Sequence, residues 1–170
     1  TATVSYRLLR DSIYPAAVED VTDAVEWLFE NSENYGYDPD RIALVGGSAG
    51  AHLAMLAGYG WGGSASQKNS AITARRIKAV VDIYGPVDLT TEYSRNQWLV
   101  NAFIGHSYDE KPELYRQASP ITYLSSSCPP TLILHGTSDT LVPISQSDTL
   151  KSRLDVLGVP GQPVIYSLVM

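Results

Sequence analysis

Apolar residues recur at spacings of three and four at Val18, Val21, Val25, Leu28 and Phe29. That is the period of a helix laying one face on a sheet. Pro15 suits its first turn, and the turn-rich stretch Asn34 to Asp40 ends it. Elsewhere the apolar positions run together instead. Ile42-Ala43-Leu44-Val45, Ile77 to Tyr84 and Thr131-Leu132-Ile133-Leu134 read as short buried strands. Ala2 to Tyr6 reads as a first strand and Val164 to Val169 as a last one. Ile144 to Leu157 is amphipathic, with its start at Ser145 or the Pro143 turn and its stop at Gly158. Tyr59 to Thr73 is rich in Gly and Ser and reads as a loop. The stretch 87–124 has weaker periodicity, with helical pieces at Gln97 to Phe103 and Pro112 to Gln117. Strands alternate with helices, so the pattern predicts an α/β fold: a mostly parallel sheet with helices on both faces. The whole chain, 1–170, is expected to form one domain, with a cap or insert at 87–124.

One turn in this pattern carries chemistry. Gly46-Gly47-Ser48-Ala49-Gly50 follows the strand at Ile42 and opens the small-residue helical stretch Ala51 to Ala57. Strand, tight turn and helix with a serine at the apex is the context that gives G-x-S-x-G its meaning as a nucleophile elbow. A serine hydroxyl is a poor nucleophile until it is lifted clear of the sheet toward a base and a substrate carbonyl. Glycine at 46 and 50 is expected because side chains there would clash as strand and helix pass. The N–H of Ala49, at the positive end of the following helix, would face a developing oxyanion. A dinucleotide fingerprint fails because Ser48 stands where glycine is required, and a P-loop fails because no lysine lies beside the turn.

Composition narrows the field further. Apolar residues make up 44% of the 170 and charged residues 18%, enough core and too little charge for a disordered chain. The net charge of −6 argues against a nucleic-acid partner, whose phosphates need a basic surface. There is no 18-residue apolar run to span a membrane. The first residues show neither the basic region nor the apolar stretch of a signal peptide. Cys128 is the single cysteine and leaves the compartment open. His52, His106 and His135 lack metal-ligand spacing, so no metal is expected.

His135-Gly136-Thr137-Ser138-Asp139 ends the strand at Leu134. The C-terminal edge of a parallel sheet is where sites form. Asp139 is therefore on the correct edge to orient a histidine, its other reading being the cap of a turn or of the next helix, and serine precedes acid in the order such enzymes use. With these residues in place the chain resembles the α/β-hydrolase superfamily, and within it the esterase and lipase group: the hormone-sensitive-lipase-like, acetyl-xylan and feruloyl esterases. The resemblance rests on Ser5 to Leu8, Pro15 to Val21, Asp38 to Ile42, the elbow through Ala54, Tyr115 to Pro120, and His135 to Pro143. It implies Ser48 as nucleophile, Asp139 as acid, Ala49 as oxyanion donor, no cofactor, and a small-molecule ester as substrate. Trp98, Phe103 and Tyr84 are candidates for the pocket wall, with packing of the insert as their other reading.

Two parts of that family's pattern are missing. No histidine follows Asp139, and the H-G-G-G-type loop that completes the oxyanion hole does not precede the elbow. Trp61-Gly62-Gly63-Ser64 comes too late to replace it. The expectation is a hydrolase chain truncated at both ends and nearly inactive alone, with an exposed edge strand near Val4. The alternatives are an amidase or serine peptidase on the same fold, or a non-catalytic ligand-binding module.

Overall fold

A computed structural model describes residues 1–9, 11–62 and 76–166. Helix α1 (Ala16–Glu30) buries Val18, Val25 and Phe29, the stripe its periodicity marks. A short helix, α2 (Ser32–Tyr35), ends at Gly36, whose left-handed φ of 69° closes it. Strand β1 (Ala43–Gly47) enters the elbow, and α3 (Ala49–Tyr59) leaves it. After β2 (Ala79–Ile83) come three small helices, α4 (Glu92–Arg95), α5 (Trp98–Ile104) and α6 (Pro112–Gln117). Then follow β3 (Thr131–Gly136), α7 (Ser145–Val156) and β4 (Gly161–Tyr166).

The four strands lie in the order β1-β2-β3-β4, every pair parallel. The register puts Gly47, Ile83 and Leu134 in one row. Ser48, Tyr84 and His135 therefore emerge side by side at the C-terminal edge. The main core joins Val25 and Phe29 of α1, Met55 and Tyr59 of α3, Val80, Ile133, and Leu150 and Leu154 of α7. These helices share the face that carries Val80 and Ile133. On the opposite face Val81, Ile83, Leu132 and Leu134 are half-buried and Val45 is 64% exposed. Helices thus flank the sheet, and within the described residues those of the core gather on one face. A second cluster fastens segment 87–124 to α1 and α3: Leu89, Ile104, Tyr115 and Ala118 meet Val18, Leu53, Leu56 and Trp61, while Val87 joins Val80 and Ile133 in the main core. Trp61 Nε1 donates to the Tyr14 hydroxyl at 2.8 Å.

Four expectations change. Residues 1–8 form no strand. Arg7 is held by Asp20 of α1 instead, through its backbone N–H at 2.7 Å and its guanidinium at 2.8–3.0 Å. The last strand starts at Gly161 rather than Val164, because β3 pairs in register with Gly161, Gln162 and Pro163. A proline is tolerated there because β4 borders no further strand among the described residues. Helix α7 opens from the Pro143 turn, whose carbonyl accepts from Gln146 N at 2.9 Å, and Ser145 is its first helical residue rather than its cap. Tyr59 ends α3 instead of opening a loop, and Gly60 closes it at φ 89°. Residues 63–73 of that glycine- and serine-rich stretch, including Gly63 and Ser64, lie outside the described residues, as does the strand expected at 167–169.

Candidate active site

The elbow has the strain its sequence requires. Ser48 adopts φ 52° and ψ −119°, a conformation that residues with a Cβ rarely take. Its backbone N–H donates to Ile83 O at 2.9 Å, and its carbonyl starts α3 by accepting from His52 N. Gly46 is obligatory: a Cβ there would lie 2.2 Å from Gly50 backbone atoms. Gly50 is different. A Cβ there meets nothing within 4 Å, so steric clash does not explain this glycine. It borders an open cleft of about 1040 Å³ along the outer edge of β1, away from Ser48. Ala49 is the first residue of α3, where backbone N–H groups have no acceptor within the helix.

Asp139 lies beyond the end of β3 on the same edge, two strands over from β1. That separation is about 10 Å at ~4.8 Å per strand. Its Oδ1 accepts from Leu141 N and Val142 N, both at 2.8 Å. Asp139 thus shapes its own turn with one oxygen and leaves Oδ2 without a hydrogen bond among the described residues. The nearest cation-capable atom, His135 Nε2, is 3.7 Å away. His135 is fully committed: Nε2–H donates to Val142 O at 2.8 Å, and Nδ1 accepts from the Ser147 hydroxyl at 2.7 Å. The Tyr93 hydroxyl donates to Leu141 O and ties α4 to this loop.

His52, one turn along α3 from Ser48, donates Nδ1–H to Pro86 O at 2.8 Å. Its Nε2 is buried without a hydrogen-bond partner among the described residues. Burial lowers its pKa to about 4, so the ring is neutral at pH 7. His106 is exposed, and its carbonyl accepts from the Tyr115 hydroxyl.

An apolar cavity of about 550 Å³ opens beside Ser48 and Ala49. His52, Leu89, Leu99, Val100 and Phe103 line it, with Arg7, Tyr93, Ser94, Gln97 and Gln146 among its polar members. Of the three pocket candidates, Phe103 lines this cavity and packs edge-on to His52 at 5.6 Å. Trp98 is 70% exposed. Tyr84 is also on the surface, with its hydroxyl over Gly47. Sequence reasoning passed over two residues. Gln146 accepts from Val87 N and Asp88 N at 2.8 Å, which pins the start of segment 87–124 to α7. Asp82 is completely buried in β2. Its signal was a lone carboxylate inside the apolar run Ala79 to Ile83. Among the described residues no group of three or more His, Cys, Asp or Glu could hold a metal, and no helix is long and apolar enough to cross a membrane.

A parallel sheet flanked by helices, with a strained serine between strand and helix, defines an α/β-hydrolase fold. Solved esterases share it. The chain superposes on an acetyl ester-xyloside bifunctional hydrolase from Caldicellulosiruptor lactoaceticus with a TM-score of 0.81 at 28% identity, covering 97% of this chain and 60% of that one. A truncated carbohydrate esterase from gut microbiota gives 0.80 at 28%, covering 96% and 64%. Residues 1–154 match the family described as BD-FAE, and the chain belongs to that family of α/β-hydrolase esterases. Among curated relatives, esterase LipQ of Mycobacterium tuberculosis is 36% identical over 157 residues, 89% of this chain and 37% of LipQ. The chain spans well under half the length of the curated relatives it matches.

Proposed function

We propose that this chain carries the nucleophile and acid of a serine carboxylic ester hydrolase, acting through an acyl-enzyme on small or carbohydrate-linked esters. The observation that carries the reading is Ser48 at φ 52° between β1 and α3, on the sheet edge that also holds Asp139. Ser48 Oγ attacks the ester carbonyl while a histidine takes its proton. Asp139 orients that histidine through Oδ2 and stabilises its cation. Ala49 N–H binds the tetrahedral oxyanion. The alcohol leaves with the proton, and water then hydrolyses the acyl-serine by the same steps. Segment 87–124 acts as a cap that shapes the acyl pocket, with Phe103 on its wall. The names of the carbohydrate-esterase neighbours support the substrate class, as does the pocket's size.

Burial holds His52 at a pKa of about 4, too weak a base, and its Nε2 makes no hydrogen bond among the described residues. Both nitrogens of His135 are taken and His106 is exposed, so the chain alone has no base poised at Ser48 and turns esters over slowly. Imidazole tests this directly. A fluorophosphonate probe should label the chain faster with imidazole than without, and Ser48→Ala should label under neither condition. Equal labelling of the chain and Ser48→Ala, with imidazole present, sinks the reading and leaves the ligand-binding alternative. Ordinary turnover of p-nitrophenyl acetate without imidazole sinks the missing base.

A further inference from the structure

Asp82 is out of place in β2. Its neighbours are Val80, Val81 and Ile83, and it is 0% exposed. Its Oδ1 accepts one hydrogen bond, from Gly85 N at 2.8 Å, and its Oδ2 has no partner among the described residues. Burying a carboxyl with one unsatisfied oxygen works against stability. A valine would continue the strand more comfortably, so what the carboxyl supplies must be geometry.

That geometry is the turn Ile83 to Pro86, which touches the elbow along its length. Ile83 O accepts from Ser48 N at 2.9 Å, and Pro86 O accepts from His52 Nδ1 at 2.8 Å. Between them, Gly85 presses on α3 so closely that a Cβ would lie 2.7 Å from Ala51 Cβ and 2.9 Å from Met55 Cε. Tyr84 adopts φ 49°, the left-handed region a tyrosine avoids. Two strained residues, Ser48 and Tyr84, thus stand at neighbouring strand ends. The ladder bond from Tyr84 N to Leu134 O fixes one side of the turn. The Asp82 carboxyl fixes the other.

We propose that Asp82 is a positioning residue for Ser48, acting through the turn Ile83 to Pro86 to hold the elbow in its strained shape. The proposal rests on Ser48 being the nucleophile. Asparagine has the same acceptor in the same place and should substitute. Valine is apolar, one heavy atom smaller and has no acceptor, and it should free Gly85 and loosen the turn.

The test uses the 170-residue chain at pH 6 with imidazole. It reads the rate of Ser48 labelling by the fluorophosphonate probe and the amide exchange of Ser48 and Gly85. Asp82→Asn should label within about twofold of wild type and keep both amides protected. Asp82→Val, with α7 exchange unchanged, should label about tenfold slower and lose protection at both, the scale of one lost buried hydrogen bond. A folded Asp82→Val that labels like wild type overturns the proposal, as does Asp82→Asn labelling as slowly as Asp82→Val. If Asp82→Val does not fold, Asp82→Asn decides alone: wild-type labelling with both amides protected supports the brace, and slow labelling overturns it. Failure of the nucleophile reading shows separately, as a wild-type chain that labels no faster than Ser48→Ala before position 82 is touched.

Discussion

Replacing Asp82 by asparagine should change how stability depends on pH. Burial pushes the Asp82 carboxyl up to about 7, with the Gly85 N–H bond opposing it more weakly. In the unfolded chain the same group titrates near its ordinary value of about 3.9. The folded protein therefore holds a proton that the unfolded chain releases. The stability this contributes is fully present below about pH 4 and is lost as pH rises through 7. Three units at about 1.4 kcal/mol each amount to about 4 kcal/mol. Asparagine has no proton to lose. The stability of wild type minus that of Asp82→Asn should fall by about 4 kcal/mol between pH 4 and pH 8. His52 pulls the other way, since its pKa is held at about 4 by burial. Its contribution is present above the unfolded value of about 6.5 and is lost as pH falls through 4. It is common to both proteins and cancels in the difference. Urea unfolding followed by tryptophan fluorescence at several pH values measures that difference, with the buried Trp61 as a reporter. A difference that stays constant from pH 4 to pH 8 would mean that Asp82 is ionised in the fold and that the burial argument is wrong.

Other outcomes separate local from tertiary causes. Gly46→Ala drives a Cβ into the backbone of Gly50 and Ala51 at 2.2–2.5 Å; it should cost about 3 kcal/mol or more in urea unfolding and abolish probe labelling. Gly50→Ala, where a Cβ meets nothing within 4 Å, should be neutral or stabilise by about 0.5–1 kcal/mol through helix propensity. Gln146→Ala strips two backbone N–H groups, of Val87 and Asp88, of their shared acceptor; it should cost about 2–4 kcal/mol, read as a lowered urea midpoint. Tyr115→Phe removes bonds to Asn101 Oδ1 and His106 O at 2.7 and 2.8 Å; a loss of about 1–2 kcal/mol by the same measurement is expected.

The sequence by itself determined what is local. The strand into the elbow, the serine at its apex and the helix after it follow from short-range sterics, and Gly46 is required by atoms four and five residues away. The periodicity of α1 marked the stripe that packs, because one helix face must leave water. The pieces at Gln97 to Phe103 and Pro112 to Gln117 likewise became α5 and α6 within a residue or so. What depends on distant partners was not legible. Residues 1–8 have the apolar content of a strand, but a strand needs a neighbour, and Arg7 bonds to Asp20 instead. Gly50 looked like part of the same steric rule as Gly46, and only the open flank of β1 shows that it is not. His52, His106 and His135 were three imidazoles of undetermined use; tertiary contacts gave Pro86 to the first and Val142 and Ser147 to the last. Asp82 was one polar letter in an apolar run. Only the packing of β2 beneath α3 decided that its carboxyl is buried and that Gly85 is its donor, because burial and hydrogen-bond geometry belong to the folded chain and not to the order of its residues.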